Sequence, residues 1–499
     1  MELIQDRYSD KILGCLGCYD RIVIKGILPS ICYADGMGHY LFDHGVRIFD
    51  YAHFADGFRD QLRTNAECLA SKYNLDIIFI RSHKARKEDI VKENWDGEKQ
   101  GLICILSAME GCQRYQPWHD KIAHKTFLKA TQGKCLHYYF YFNNPEIGFG
   151  YVRVPTWCPF MLQVYLNGHN WLALELQKKG IDYSMLDNAF DNIADFKKAQ
   201  KMADNLSIKK LHKKLDWLAN LYCPVHNEFD IKYHWSIMQV EYSTDIVFKD
   251  QKDLALIYDE LISTAIHTVK PDNIASFLGQ KLHGNYIGEV GNNCHVRIEG
   301  RRIKHVMGTV SIKMYDKYSK ILRIETTVNN LSQFKHYRTV EHRDGTTSQK
   351  QASVKKNIYS LEPLIDLLGA SNMRYIEFIS AIEDHTGGKM QLNKITNPKV
   401  ENNRNYKGMN FFEKKDIKLI QILTRGEFNI NGFRAKDIKK WCQSLSASQI
   451  SRILKRLRVL GIIKKVGNSY KYYLTIIGKA AITTGLKLKN IVIIPSLCA

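Results

Sequence analysis

Residues 446–475 read SASQISRILKRLRVLGIIKKVGNSYKYYLT. Ser446 followed three residues later by Gln449 is a capping box, in which each side chain satisfies an orphan backbone N–H of the other, so a helix begins here. Ile450, Ile453, Leu454, Leu457 and Leu460 then recur at helical spacing, and Gly461 stops the run. The outward positions are Ser448, Gln449, Ser451, Arg452, Lys455, Arg456 and Arg458, a polar and basic face opposite an apolar stripe. Past Gly461 the period changes from helix to strand. Ile462–Val466 and Tyr470–Thr475 flank the turn Gly467-Asn468-Ser469, predicting a hairpin that exposes Lys464, Lys465 and Lys471. Upstream, Ile417, Ile420 and Leu423 predict a first helix and Lys436–Trp441 a short second one. Three helices followed by a basic hairpin is the plan of a winged helix-turn-helix.

The run LGIIKKVGNSYKYYLTIIG resembles the wing of MarR-like regulators, over roughly residues 410–485. On that plan the second helix of the motif enters the major groove, Gln449 meets adenine, Arg452 meets guanine, and Lys464, Lys465 and Lys471 reach phosphates. Charge points the same way. The chain carries 72 Lys+Arg against 51 Asp+Glu, a net +21, and residues 401–499 alone hold 20 basic and 5 acidic residues. After Asp437 there are 12 basic residues and no acid, so a polyanion is the expected partner.

Working outward, the reading is an α+β multidomain chain of 499 residues: mixed α/β N-terminal and middle domains ahead of a C-terminal winged helix-turn-helix. The expected division is 1–225, a mixed α/β domain; 226–386, an α+β domain with a polar-faced β-hairpin; 387–406, an Asn/Lys/Gly-rich linker; and 407–499, the winged helix. Strands are predicted at Asp20–Leu28, Leu75–Ile80, Leu102–Leu106, Trp235–Phe248, Val310–Tyr315 and Ile321–Val328, with a hairpin from Cys135–Phe142 to Phe149–Pro155. Helices are predicted at Phe54–Tyr73, Phe160–Lys179, Ile208–Tyr222, Lys252–Thr268 and Leu361–Ile382. The composition, 45% hydrophobic and 25% charged, is that of a globular chain. No apolar run approaches the ~18 residues of a membrane span, and no signal peptide is legible, so a cytoplasmic protein with no membrane partner is expected. The 12 cysteines are scattered rather than framed, and the lone Cys15-x-x-Cys18 lacks a second pair at zinc-ribbon spacing.

No P-loop, GxGxxG, HExxH or GxSxG motif occurs. What remains is a polar strand face. In VSIKMYDKYSKILRIETTVN (310–329), Ile312, Met314, Leu322 and Ile324 alternate with Lys313, Tyr315, Arg323 and Glu325, so a cation, a phenol and a carboxylate share one face. MYDK…LRIET resembles a stretch of some phage and plasmid replication initiators. Glu241 and Asp245 lie four apart upstream. Carboxylates grouped this way can hold Mg²⁺ for phosphodiester cleavage; the plainer expectation is a surface ladder of ion pairs. A second set, Asp20 and Glu110 with Asp182 and Asp187, stands at element ends as in RNase H-like nucleases, although helices follow the first strand where that fold has antiparallel strands. CLHYYFYF and GYVRVPTWCPF interleave aromatics with Lys134, His137 and Arg153, which suits base stacking or, more simply, core packing.

CYDRIVIKGILPSICYADG, VRVPTWCPF, YLNGHNWLA and YRTVEHRDG together resemble a widespread bacterial family of large proteins with a MarR-like winged-helix C-terminus. The resemblance covers nearly the whole chain and implies association with a mobile element; it brings no activity or catalytic residues. The expected function is therefore a nucleic-acid-binding protein of a bacterial mobile element that grips double-stranded DNA through its C-terminus. The alternatives are a Mg²⁺-dependent nuclease or transposase, RNA-associated or not, and a MarR-like transcriptional regulator. The candidate catalytic residues are Glu241, Asp245, Glu325, Asp20 and Glu110. No metal ligand set is assigned, Mg²⁺ is the cofactor only of the nuclease reading, and RNA binding and a homodimer are left open.

Overall fold

The computed structural model describes residues 3–82, 84–97, 99–280, 286, 288–297, 300–384, 392, 394–423, 428, 432–467, 469–487 and 489. It is a mixed α/β structure that separates into two compact units: Leu3–Ile262 with Lys270–Glu377, and Phe378–Ala499 with Met1–Glu2 and Ser263–Val269.

The larger unit is organised by an eleven-stranded sheet. In chain order its strands are β1 (Ile12–Ile27), β2 (Ile77–Phe79), β3 (Gly101–Asp120), β4 (Lys125–Asn144), β5 (Gly148–Pro155) and β6 (Leu162–Leu166). A separate hairpin, β7 (Tyr183–Leu186) and β8 (Ala189–Ile193), follows. The sheet resumes with β9 (His234–Phe248), β10 (Val290–Arg297), β11 (Gly300–Met307), β12 (Val310–Lys317) and β13 (Ile321–Val328). The spatial order is β10-β11-β12-β13-β9-β1-β6-β5-β4-β3-β2. Neighbours are antiparallel except β2 and β3, which are parallel. Strands of the 1–225 and 226–386 segments thus lie in one sheet, joined where β1 pairs with β9.

The predicted helix Phe160–Lys179 is corrected. Its first part is strand β6, inserted between β1 and β5, and the helix is Gly168–Lys178. LQVYL alternates buried and half-buried residues with period two, and Asn167 caps the helix that follows by accepting from the Asn170 N–H. The other long helices stand where expected: Tyr51–Tyr73, Ile208–Tyr222, Gln251–Thr268 and Leu361–Asp384.

Helices Gly168–Lys178 and Phe196–Asp204, with β7 and β8, pack on β1 around Leu16, Cys18, Leu172, Leu176, Phe190 and Ala199. The close approach needs Gly168: a Cβ there would stand 2.2 Å from the Tyr19 carbonyl oxygen. Across the sheet, buried Asn372 donates to the Tyr242 carbonyl and to Thr244 Oγ1 and accepts from Thr326 Oγ1, fixing helix Leu361–Asp384 to the opposite face.

In the smaller unit, helices Lys414–Leu423, Ala435–Trp441 and Ala447–Val459 surround Ile420, Leu423, Ile438, Ile450, Leu454 and Leu457. The capping box at Ser446 is formed, with Ser446 N–H donating to Gln449 Oε1 (2.8 Å) and Gln449 N–H to Ser446 Oγ (3.3 Å). Gly461, at φ +78°, ends the helix, and Ile463–Lys465 pairs with Tyr472–Leu474. Asn468, in the expected turn, and residues 387–391 and 393, in the expected linker, lie outside the described residues; Lys399–Glu401 and Arg404–Tyr406 form a short hairpin.

Candidate functional site

Adjacent strands converge one polar set. The β12–β13 register sets Lys313 opposite Glu325 and Tyr315 opposite Arg323. The β13–β9 register sets Arg323 opposite Asp245 and Thr327 opposite Glu241, and β1 sets Arg21 opposite Glu241. Residues directly opposite share a face, so these side chains meet. Asp20 is the extra residue of a β-bulge between Tyr19 and Arg21, a device that re-aims a side chain. As a result, one oxygen from each of Asp20, Glu241 and Glu325 lies within 4.8 Å of the other two.

The cluster has two halves. In the first, fully buried Arg323 clasps Asp245 with two bonds, Nε to Oδ1 at 2.7 Å and Nη2 to Oδ2 at 2.6 Å, and donates from Nη1 to Asp20 Oδ1 at 3.1 Å. His169 Nε2 lies 3.2 Å from Arg323 Nη2. A guanidinium only donates, so Nε2 accepts and the ring proton sits on Nδ1, 3.2 Å from Asp20 Oδ1. Asn188, in the β7–β8 turn, donates to Asp20 Oδ1 and accepts from Arg323 through its carbonyl. Burial pushes both aspartates up, but Arg323 overcomes it, joined by His169 at Asp20: Asp20 is held well below the usual carboxylate range and Asp245 is brought down to about 2.

In the second half, Lys313 Nζ donates to Glu325 Oε1 (2.5 Å) and Glu241 Oε1 (3.3 Å), Tyr315 donates to Glu325 Oε2 (2.7 Å), and Thr327 Oγ1 to Glu241 Oε1 (3.2 Å). Here burial and the neighbouring Glu325 charge raise Glu241 above its ordinary value, against Lys313 and Arg21. The environment therefore drives Asp20 and Asp245 toward the ionised form and Glu241 toward the protonated one, a separation of roles that recurs at acid–base sites. The rim is cationic. Arg21 Nε stands 3.5 Å from Glu241 Oε2 with its side chain 47% exposed, and Lys304 is lowered by burial and then by Lys313 and Arg302.

The oxygen donors suit a hard divalent cation. The Lys313 ammonium, however, stands between Glu241 and Glu325, so a metal seated there must displace it. The four carboxylates Asp20, Glu241, Asp245 and Glu325 are thus brought together, although Asp20 was grouped with a different set in sequence. The expectation of a surface ladder is corrected: Arg323 and Glu325 are 0% and 2% exposed, because His169 and the β7–β8 turn roof the face. Asp187, in that turn, is exposed.

Glu110 is not part of the site. On β3 it accepts from Lys87 Nζ (2.9 Å) and Tyr139 (2.7 Å) and pairs with Arg153 (2.9 Å); burial opposes, but these partners bring it down to about 2. The aromatic run is core: Tyr138, Tyr139, Phe140, Tyr141 and Phe142 are all buried, which removes them as stacking platforms. Cys15 and Cys18 are free, and burial, then Asp245, pushes Cys15 up to about 11 and Cys18 higher still, so neither is an activated thiolate. Sequence reasoning missed His169 and Asn188, which no motif marks.

In the smaller unit, Ser448, Gln449, Ser451, Arg452, Arg458, Lys464 and Lys465 are exposed and Lys471 is half-exposed. Two of the expected DNA-facing residues serve the fold instead. Arg456 donates to both oxygens of buried Asp416 (2.9 and 2.8 Å) and to the carbonyls of Lys407 and Gly408, and Lys455 pairs with Glu401. The Gln449 amide is engaged in capping its own helix. No helix among the described residues is long and apolar enough to cross a membrane. No protein-family model, curated protein or solved structure matches this chain.

Proposed function

We propose that this chain binds double-stranded DNA through residues 407–499, read as a winged helix-turn-helix, and that it serves a bacterial mobile element. The observation that carries the reading is one helix edge and hairpin: Ser448, Gln449, Ser451, Arg452 and Arg458 stand open beside Lys464, Lys465 and Lys471, in a segment nearly free of acids. Arg452 is the base reader and the lysines are phosphate contacts. With Arg456 and Lys455 engaged in the fold and Arg452 on a base, about four cations remain for phosphates, so log affinity falls against log salt with a slope near −3.6 at about 0.9 per contact. Gel shift of the full chain tests this. Arg452→Ala relaxes sequence preference by about 1–3 kcal/mol at one base, whereas Lys465→Ala weakens all sequences evenly. A flat salt response, or no shift with any duplex, refutes it.

The convergence of Asp20, Glu241 and Glu325 favours a second reading, a Mg²⁺-dependent phosphodiesterase. In that reading Asp20, Glu241 and Glu325, ionised, would hold the metal and Lys313 would turn toward the phosphate; the metal would supply a polarised phosphoryl oxygen and an activated water. Because the Lys313 ammonium competes with a cation, Lys313→Met tightens Mn²⁺ binding measured by calorimetry and Glu325→Gln abolishes it. Supercoiled plasmid left intact with Mg²⁺ or Mn²⁺, with and without host RNA, together with no Mn²⁺ heat in either protein, removes this reading and leaves DNA binding standing.

A further inference from the structure

The hairpin β3–β4 is far longer than the sheet that contains it. Its strands pair from Gly101↔Asn143 to Asp120↔Lys125, yet β2 pairs with β3 only over Ile105–Ser107 and β5 with β4 only from His137 onward. From Met109 to the turn, a two-stranded ribbon of twelve residues per strand, about 40 Å, leaves its flanking strands behind.

The two faces of this ribbon differ. On one, Tyr115 is buried, donates to the Ile31 carbonyl (2.9 Å) and meets the Tyr51 ring at 6.1 Å; Leu128, opposite Pro117, is buried as well. That face rests on the N-terminal helices. The other carries the opposed pairs Arg114/Thr131, Gln116/Lys129, Trp118/Phe127 and Asp120/Lys125. Trp118 and Phe127 are 44% and 39% exposed, and Lys129 Nζ lies 4.5 Å over the Trp118 ring. Residues 111–134 hold five Lys/Arg and a single acid, Asp120, whose carboxylate caps the turn by accepting from the Ile122 and Ala123 N–H groups (2.9 and 3.0 Å). None of the ion pairs among the described residues involves Arg114, Lys121, Lys125, Lys129 or Lys134.

We infer that the distal β3–β4 ribbon is a second nucleic-acid-gripping element that lies in the major groove of B-form DNA, with Arg114, Lys125 and Lys129 on phosphates and Trp118 and Phe127 against sugar and base edges. A two-stranded ribbon fits the ~12 Å major groove of B-DNA, whereas the deep, narrow major groove of A-form RNA excludes it. The cations are spread along the ribbon rather than collected at its tip, as a phosphate track requires and an inserting membrane anchor does not. The inference stands on residues separate from the C-terminal reading and goes beyond it.

The test uses the full chain on a 40-base-pair DNA duplex, the same duplex as RNA, the single DNA strand, and phosphatidylserine vesicles. Arg114→Ser/Lys125→Ser/Lys129→Ser lowers the salt slope on duplex DNA by about 2.7, at 0.9 per contact, and shortens the protected footprint at one flank. Lys125→Arg/Lys129→Arg, which keeps charge on the same strand, retains the wild-type slope and separates contact loss from misfolding. Lys464→Ser/Lys465→Ser is measured in parallel. A reduced slope in both the ribbon and the C-terminal variant supports two grips; a reduced slope in the ribbon variant alone supports this inference and sinks the C-terminal one. An unchanged slope and footprint in the ribbon variant overturns it, as does failure of the wild type to bind duplex DNA. Equal losses on RNA duplex, or losses confined to single strand or vesicles, also overturn it.

Discussion

Replacing Arg323 by Met removes the guanidinium that bonds to two buried carboxylates at once. The side chain is 0% exposed and makes three hydrogen bonds to Asp245 and Asp20. Asp245 is held at about 2 against an ordinary 3.8, a displacement worth about 2 kcal/mol. Its removal also leaves two uncompensated charges, and breaking a buried pair from one side typically costs about 3–5 kcal/mol. Lys317 brings the cost toward the lower end: burial and Arg323 depress it, and with Arg323 gone its ammonium answers Asp20 more fully. A loss of about 3 kcal/mol at pH 7 is expected. The pH dependence carries the diagnosis. In wild type the folded value of Asp245 is depressed, so its stabilisation is complete above pH 3.8 and disappears as pH falls through about 2. In the variant, burial raises Asp245, now without the cation that clasped it, so the folded state takes up a proton and loses stability as pH rises. The gap between the two proteins therefore widens from pH 4 to pH 7. Urea unfolding followed by tryptophan fluorescence at both pH values measures it, with Arg323→Met/Asp245→Asn expected to recover part of the loss. A deficit under about 1 kcal/mol, or one independent of pH, refutes the account of Arg323 as the charge that makes this face foldable.

Arg456→Ala should lower the stability of the 407–499 segment by about 2–4 kcal/mol, because it strands buried Asp416 and two carbonyls; hydrogen exchange in helices Lys414–Leu423 and Ala447–Val459 reports it, and an unaltered exchange rate would return Arg456 to the proposed DNA-facing set. Gly168→Ala forces a Cβ against the Tyr19 carbonyl. It should destabilise by about 1–3 kcal/mol and shift the His169 ring resonances; unshifted resonances would mean that the close contact does not position His169.

Much of the candidate site was legible because it is periodic. Alternation in residues 310–329 placed Lys313, Tyr315, Arg323 and Glu325 on one face, and the observed register pairs them. The capping box at Ser446 was equally local and equally readable. Burial was not legible. A charged strand face reads as surface, and only the roof from His169 and the β7–β8 turn makes it interior. Nor could helical periodicity distinguish the Arg456 that holds Asp416 from the exposed Arg452, since both point away from the same apolar stripe.

What the sequence determined by itself is whatever depends on neighbours a few residues apart: most of the long helices, the cap at Ser446, the C-terminal hairpin, the basic C-terminus, and the identity of the five candidate acids. What only tertiary structure decided is which of those acids meet. Asp20 and Arg323 are 303 residues apart and touch because β9 pairs with both β1 and β13; Glu110, on the same sheet, is five strands from β9 and meets other partners. Strand order is set by the burial of whole faces against helices, a property of the assembled sheet that no single strand encodes.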